Sequence, residues 1–140
     1  MKNNKYYRVY AEINLDAIVK NVDNLMALTK ENTGALAVVK ADGYGHGDVA
    51  VAKAVAQKVT GYAVATLDEA VNLRENGVKK PILVLGYVDP YEFDILVSHE
   101  ITATVFDVET AQLLADAARV QKKQAHCHIK VDTGMRRIGL

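Results

Sequence analysis

Ala35-Leu36-Ala37-Val38-Val39-Lys40-Ala41-Asp42-Gly43-Tyr44-Gly45-His46-Gly47 holds the pattern on which the fold turns. An apolar run of strand length ends in a lysine, glycines follow at 43, 45 and 47, and Gly47 or Asp48 opens the next helix. That succession is the strand-to-helix half of a βα unit. Period-two alternation sets Leu36, Val38 and Lys40 on one face and Ala35, Ala37 and Val39 on the other. A lysine that continues a buried apolar face carries its amine into the fold. Desolvation there favours the neutral amine that attacks a carbonyl. The glycines let backbone approach a ligand closely, and the amide-rich start of the following helix favours an anion. Spacing alone equally allows a strand-end lysine that snorkels to water beside an ordinary Gly-rich turn.

Outward from this stretch the same pattern recurs. Apolar runs at 11–15, 35–40, 62–66, 82–87, 102–106 and 126–132 begin roughly 20 to 27 residues apart, the length of a strand, a helix and two short loops. Helix signals fill the intervals. Asp16 caps a segment with Ile18, Val22, Leu25 and Leu28 at helical spacing, closed by Asn32-Thr33-Gly34. Thr66 and Glu69 form a capping box, with Gly77 as the stop. Asp89-Pro90 is a cap followed by proline at the first helical position. Asp107 opens a helix bearing Ala111, Leu114, Ala115 and Ala118 on one face. Such alternation predicts an α/β fold with a parallel sheet, either doubly wound or of the (β/α)8 barrel type. Six runs fit an open sheet outright and make only three quarters of a barrel, so spacing leaves both architectures open.

Composition narrows the function classes. The 140 residues are 50% hydrophobic and carry 17 Lys plus Arg against 17 Asp plus Glu, so the formal charge is zero. Neither a nucleic acid nor an anionic membrane surface is the expected partner, because both select a basic excess. One cysteine, Cys127, excludes an intramolecular disulfide. No apolar leader follows Met1, and no stretch approaches the ~20 apolar residues of a membrane span. A cytoplasmic protein is the expectation.

Four segments together carry a resemblance. Residues 38–47, Val-Val-Lys-Ala-Asp-Gly-Tyr-Gly-His-Gly, resemble the pyridoxal-phosphate lysine motif of alanine racemases. Residues 11–18, Pro81-Ile82-Leu83-Val84-Leu85-Gly86 and the segment 130–139, from Lys130-Val131-Asp132-Thr133-Gly134 to Gly139, resemble further segments of that family, in order and at suitable spacing. The resemblance implies an α/β fold of the parallel (β/α)8 TIM-barrel type, truncated to about six βα units: the N-terminal barrel portion of such an enzyme over 1–140, without the C-terminal β domain.

By this resemblance Lys40 joins pyridoxal 5'-phosphate as an aldimine and acts as one of two bases that exchange the α-proton of alanine. Tyr44 donates its hydroxyl to the cofactor phosphate, and Val38 and Leu85 border the cofactor, although Leu85 also reads as plain core. Arg137 binds near the substrate carboxylate and the phenolic oxygen, with Arg136 solvated beside it. Lys130 and Met135 support this arginine, Lys130 either carbamylated or as an unmodified lysine in an ion network. The second base, a tyrosine from the partner subunit of a homodimer, and the arginine facing the pyridine nitrogen belong to regions beyond this chain. The 140 residues alone are thus expected to racemise weakly or not at all. In the cell the D-alanine product would enter peptidoglycan precursors.

Rival readings differ in class. A non-catalytic pyridoxal-phosphate carrier protein shares the barrel and lysine, and a serine racemase of the same family shares the motifs. His126 and His128 alternate onto one face with Lys130 and Asp132, as a metal-dependent hydrolase would have them. They fall at the N-terminal half of the strand, away from the catalytic end, and Arg137 would repel a cation, so satisfied interior histidines are expected and no metal.

Overall fold

The computed structural model describes residues 9–140, so the Met1–Arg8 stretch read for a leader lies outside it. Five strands form one parallel sheet: β1 (Leu36–Val38), β2 (Gly61–Val64), β3 (Ile82–Val84), β4 (Thr102–Val105) and β5 (His126–Ile129). The helices are α1 (Leu15–Met26), α2 (Lys40–Gly45), α3 (Asp48–Ala54), α4 (Leu67–Glu75), α5 (Phe93–Ser98) and α6 (Val108–Val120).

Strand order decides between the two α/β architectures. The sheet runs β1-β2-β3-β4-β5, each strand laid beside its predecessor without reversal. A doubly wound sheet reverses direction at a switch point and is covered on both faces. Here one face is covered. Val39, Tyr62, Val64, Ile82, Val84, Ala103 and Val105 meet Val51, Val55, Leu67, Leu73, Leu96 and Leu114 from the helices in one core. The alternate residues form the other face, where Leu36 and Val38 remain exposed. Consecutive parallel strands with helices on a single side form the wall of a (β/α)8 barrel.

Local signals explain the elements. Thr66 Oγ1 accepts the Glu69 N–H and the Glu69 carboxylate accepts the Thr66 N–H, the capping box expected at α4, and Gly77 follows at φ +89°. Asp107 caps α6 through the Thr110 N–H at 2.7 Å. Asp89 accepts the Tyr91 N–H, and Pro90 starts a 3₁₀ turn that leads into α5.

Several expectations are corrected. The run 11–15 forms no strand, so the described residues hold five strands rather than six. Leu15 instead joins Ile18, Val19 and Val22 against the core, a stripe of helical period that overrides the short alternation. Asn14, not Asp16, caps α1 through the Ala17 N–H at 3.0 Å. The helix stops at Met26, well before Asn32, and Leu25 and Leu28 stay exposed. On α6 Ala115 is exposed and Ala117 packs in its place. Among the described residues no helix is long and apolar enough to cross a membrane.

Candidate active site

The register that joins β1 to β2 sets Val38 beside Ala63, so Lys40 and Ala65 leave neighbouring strand ends side by side. Leu85 and Gly86 follow β3, and Lys130 follows β5, its N–H donating to Val105 O at 2.8 Å. The segment after Lys130 then folds back: Leu140 N–H donates to Lys130 O, and Asp132 N–H to Leu140 O, both at 2.9 Å. Arg137 is thereby carried over the strand ends. The result is a cavity of about 200 Å³ lined by Lys40, Ala65, Leu85, Gly86, Lys130, Arg137 and Ile138. It sits where parallel α/β proteins place their chemistry, at the carboxyl ends of the strands.

The chain beyond Lys40 takes an uncommon course. Ala41, Asp42, Gly43 and Tyr44 all lie in the left-handed region, with φ of 51°, 53°, 60° and 56°. Each non-glycine residue there costs roughly 1 to 2 kcal/mol, so the turn persists only because its surroundings hold it. Gly43 N–H donates to Val39 O, Gly47 N–H to Asp42 O, and Asp48 N–H to Asp42 Oδ1. Ala41 N–H donates to Glu69 Oε1 at 2.7 Å, while Ala65 N–H donates to Glu69 Oε2 at 2.7 Å. Gly43 is buried against α3, where a Cβ would come within 3.3 Å of Asp48 N. Gly43, Gly45 and Gly47 thus serve the turn and do not line the cavity. Gly86 does line it, and a Cβ there would meet Ala65 O at 2.5 Å.

Of the residues singled out from the sequence, Lys40, Leu85, Lys130 and Arg137 share this cavity. Tyr44 stands outside it with its ring centroid 5.9 Å from Lys40 Nζ, a cation–π distance, and the side chain is 60% exposed. Val38 lies one alternation below Lys40, 44% exposed, and borders an apolar groove that also includes Ile18 and Val22. Met135 is 74% exposed and accepts from Arg137 through its sulfur at 3.0 Å. Arg136 is exposed and away from the cavity, its N–H bound to Asp132 Oδ1. His126 and His128 are exposed on the uncovered face, not satisfied interior histidines, since the described residues put nothing over that side of β5. Among the described residues no three His, Cys, Asp or Glu side chains converge as a metal site would need.

Sequence reasoning missed Ala65, Gly86 and Ile138 as lining, and the second contact of Glu69. A parallel pairing of 36–38 with 61–63 would have revealed the last, because it places Lys40 beside Ala65 and so Ala41 beside Thr66, three residues before Glu69. Chemically the cavity combines three cations, Lys40, Lys130 and Arg137, with apolar walls from Ala65, Leu85 and Ile138, and no carboxylate lines it. Such a site accepts an anion that carries an apolar or aromatic body and presents an electrophile to a primary amine.

The family model described as alanine racemase, N-terminal domain, matches residues 13–140. Alanine racemase 1 of Oceanobacillus iheyensis is 44% identical over 141 residues, covering 100% of this chain and 38% of that protein. Alanine racemase 1 of Bacillus subtilis is 46% identical over 143 residues, covering 100% of this chain and 36% of its own length. The chain therefore spans little more than a third of these relatives. Among solved structures, the alanine racemase of Clostridium difficile superposes with a TM-score of 0.92 at 42% identity, covering 96% of this chain and 36% of that one. A histidine racemase from Leuconostoc mesenteroides superposes with a TM-score of 0.82 at 30% identity, covering 89% of this chain and 34% of that one. From the family match over 13–140 and these likenesses across nearly all the described residues, it follows that the chain belongs to the alanine racemase N-terminal domain family.

Proposed function

We propose that this chain carries the cofactor lysine of an alanine racemase that interconverts L-alanine and D-alanine with pyridoxal 5'-phosphate. The observation that carries the reading is the meeting of Lys40 with Lys130 and Arg137, from two distant parts of the chain, around one small cavity at the strand ends. The donor set fits the cofactor. An anionic aromatic aldehyde needs a primary amine, cations and apolar walls, and the cavity offers all three. Bound there, pyridoxal phosphate supplies an electron-withdrawing ring that stabilises negative charge at the substrate α-carbon.

Lys40 would hold the cofactor aldehyde through Nζ and, once released from it by the substrate amine, move the α-proton on one face. Arg137, a planar cation with paired donors, would orient the substrate carboxylate or the phenolic oxygen. Lys130 would set the charge around Arg137, and Met135 would steady its guanidinium. Tyr44 would turn its hydroxyl to the phosphate, with Val38 and Leu85 bordering the ring. Racemisation needs a base on each face, because the proton leaves one side and returns on the other. In this reading the second base comes from a homodimer partner, from sequence beyond the matched third of the relatives. The chain alone would thus hold cofactor better than it turns over. Alanine is the substrate proposed, since the relatives at 42 to 46% identity carry that name while the histidine racemase stands at 30%. A cytoplasmic place and supply of D-alanine to peptidoglycan precursors follow from the same reading.

The test is an absorbance spectrum of the purified chain with added pyridoxal phosphate, before and after borohydride, with peptide mapping of the reduced adduct. An adduct on Lys40 that is lost in Lys40→Ala supports the reading. Adducts spread over surface lysines, or none in a folded sample, would overturn it.

A further inference from the structure

We propose that Glu69 is a positioning residue for Lys40. Its carboxylate ties the first peptide after the lysine to the end of the neighbouring strand. This rests on the reading of Lys40 as the cofactor lysine and adds a residue to that site.

Three backbone N–H groups converge on the two oxygens of this half-buried side chain. Ala41 N–H donates to Oε1 at 2.7 Å, Ala65 N–H to Oε2 at 2.7 Å, and Thr66 N–H to Oε2 at 3.3 Å. A helix cap accounts for the last of these alone. The contact with Ala41 reaches across 28 positions of sequence to the residue that begins the left-handed turn. At φ 51° Ala41 cannot pass its N–H into a right-handed helix, so an acceptor must come from elsewhere. Lys40 is thus fixed on both sides. Val39 N–H donates to Ala63 O before it, and Ala41 N–H donates to Glu69 after it. An ionised carboxylate only accepts, which is what three inward N–H groups require, and its hydrogen bonds are stronger than neutral ones.

Glutamine separates this role from helix capping. A capping box accepts Glu or Gln at this position, so Glu69→Gln keeps the cap. Its amide, however, has one acceptor oxygen and a donor NH₂. With the oxygen on the cap side, the NH₂ meets Ala41 N–H donor to donor. Thr66→Ala is the complementary change, which removes the cap hydroxyl and leaves the carboxylate on Ala41.

Two readouts test the proposal. The first is amide hydrogen exchange at Ala41. In the unaltered chain this N–H is expected to be protected relative to an unbonded amide, and in Glu69→Gln to exchange about tenfold faster, the loss of one charge-assisted bond. The second is adduct formation with pyridoxal phosphate. The Lys40 amine condenses with the aldehyde, water leaves, and borohydride fixes the bond as a secondary amine. Half-saturation is expected to need about tenfold more pyridoxal phosphate in Glu69→Gln and to be unchanged in Thr66→Ala, which lowers Tm at least as much. Equal effects of the two variants on adduct formation would reduce Glu69 to a cap and overturn the proposal. So would an unprotected Ala41 amide in the unaltered chain, a measurement that needs no variant. Absence of any Lys40 adduct in the unaltered chain would sink the cofactor reading instead, which distinguishes the two failures.

Discussion

The hydroxyl of Tyr62 donates to the carbonyl of Ala52 at 2.6 Å, joining β2 to the last turn of α3. Helix ends leave carbonyls without partners, and here the neighbours of Ala52 are otherwise served: Val51 O accepts from Val55 and Lys53 O from Ala56. The bond also fixes the orientation of β2. With Tyr62 and Val64 turned to the helices, alternation sends Ala63 and Ala65 to the side of Lys40. Tyr62→Phe is expected to destabilise by about 1 to 3 kcal/mol, because a buried carbonyl loses its partner while the packing is kept. Denaturant unfolding with an unchanged m-value checks it. Burial also raises the phenol above its ordinary value of 10.0. The neutral form is favoured in the folded state, so this contribution is intact below pH 10 and is lost as pH rises through the shifted value. The alkaline limb of the stability curve should therefore flatten in the phenylalanine variant.

Arg74 organises the opposite end of the sheet. Its guanidinium donates to Val78 O at 2.8 Å, Lys80 O at 2.7 Å, His99 O at 3.0 Å and Glu100 O at 3.0 Å, tying α4 to the loops that enter β3 and β4. Burial pulls the pKa of this guanidinium below its ordinary value, opposed by the charge of Glu100. A planar fork reaches four carbonyls, whereas an ammonium has three donors and no fixed spread. Arg74→Lys is expected to cost roughly 2 to 3 kcal/mol in urea unfolding, and Arg74→Met more. A lysine variant within about 0.5 kcal/mol of the parent would show that charge alone suffices there.

The distribution of what the sequence disclosed has a physical basis. The capping residues Thr66, Glu69, Asp89 and Asp107 were legible because a cap is a local hydrogen bond between residues two or three apart. The run at 11–15 misled because five residues fit both periods; only Leu15 enters α1, packed with Ile18 and Val22 against the core, and 11–14 form neither helix nor strand. Strand order was invisible, since composition and spacing are the same in a doubly wound sheet. Within the site, Lys40 stood out as a cation on an apolar strand face. Arg137 required the resemblance, because nothing local to 130–140 announces that the segment folds back over the strand ends. The left-handed turn at 41–44 was also illegible: glycine at 43 permits such a backbone, but Ala41, Asp42 and Tyr44 do not ask for it.

Asp132 governs the segment that carries Arg137, and its chemistry gives a pH window. Its Oδ1 accepts the N–H of Gly134 at 2.8 Å and of Arg136 at 3.0 Å. These bonds, Arg136 first and then Gly134, hold the carboxyl below its ordinary 3.8, with Lys130 adding a weaker attraction. A depressed carboxyl contributes stability above the unfolded value and loses it as pH falls through the folded one, so the loop is insensitive at neutral pH and loosens only in acid below 3.8. The amide protons of Gly134 and Arg136 are expected to titrate together in that acid range, followed by NMR. Asp132→Asn keeps an acceptor and should hold the loop at neutral pH while abolishing the acid transition. Asp132→Ala should speed exchange of both amides but leave Lys130 N–H, bonded to Val105 O, protected. If the Lys130 amide loosens as well, Asp132 supports the end of β5 and not merely the turn that presents Arg137.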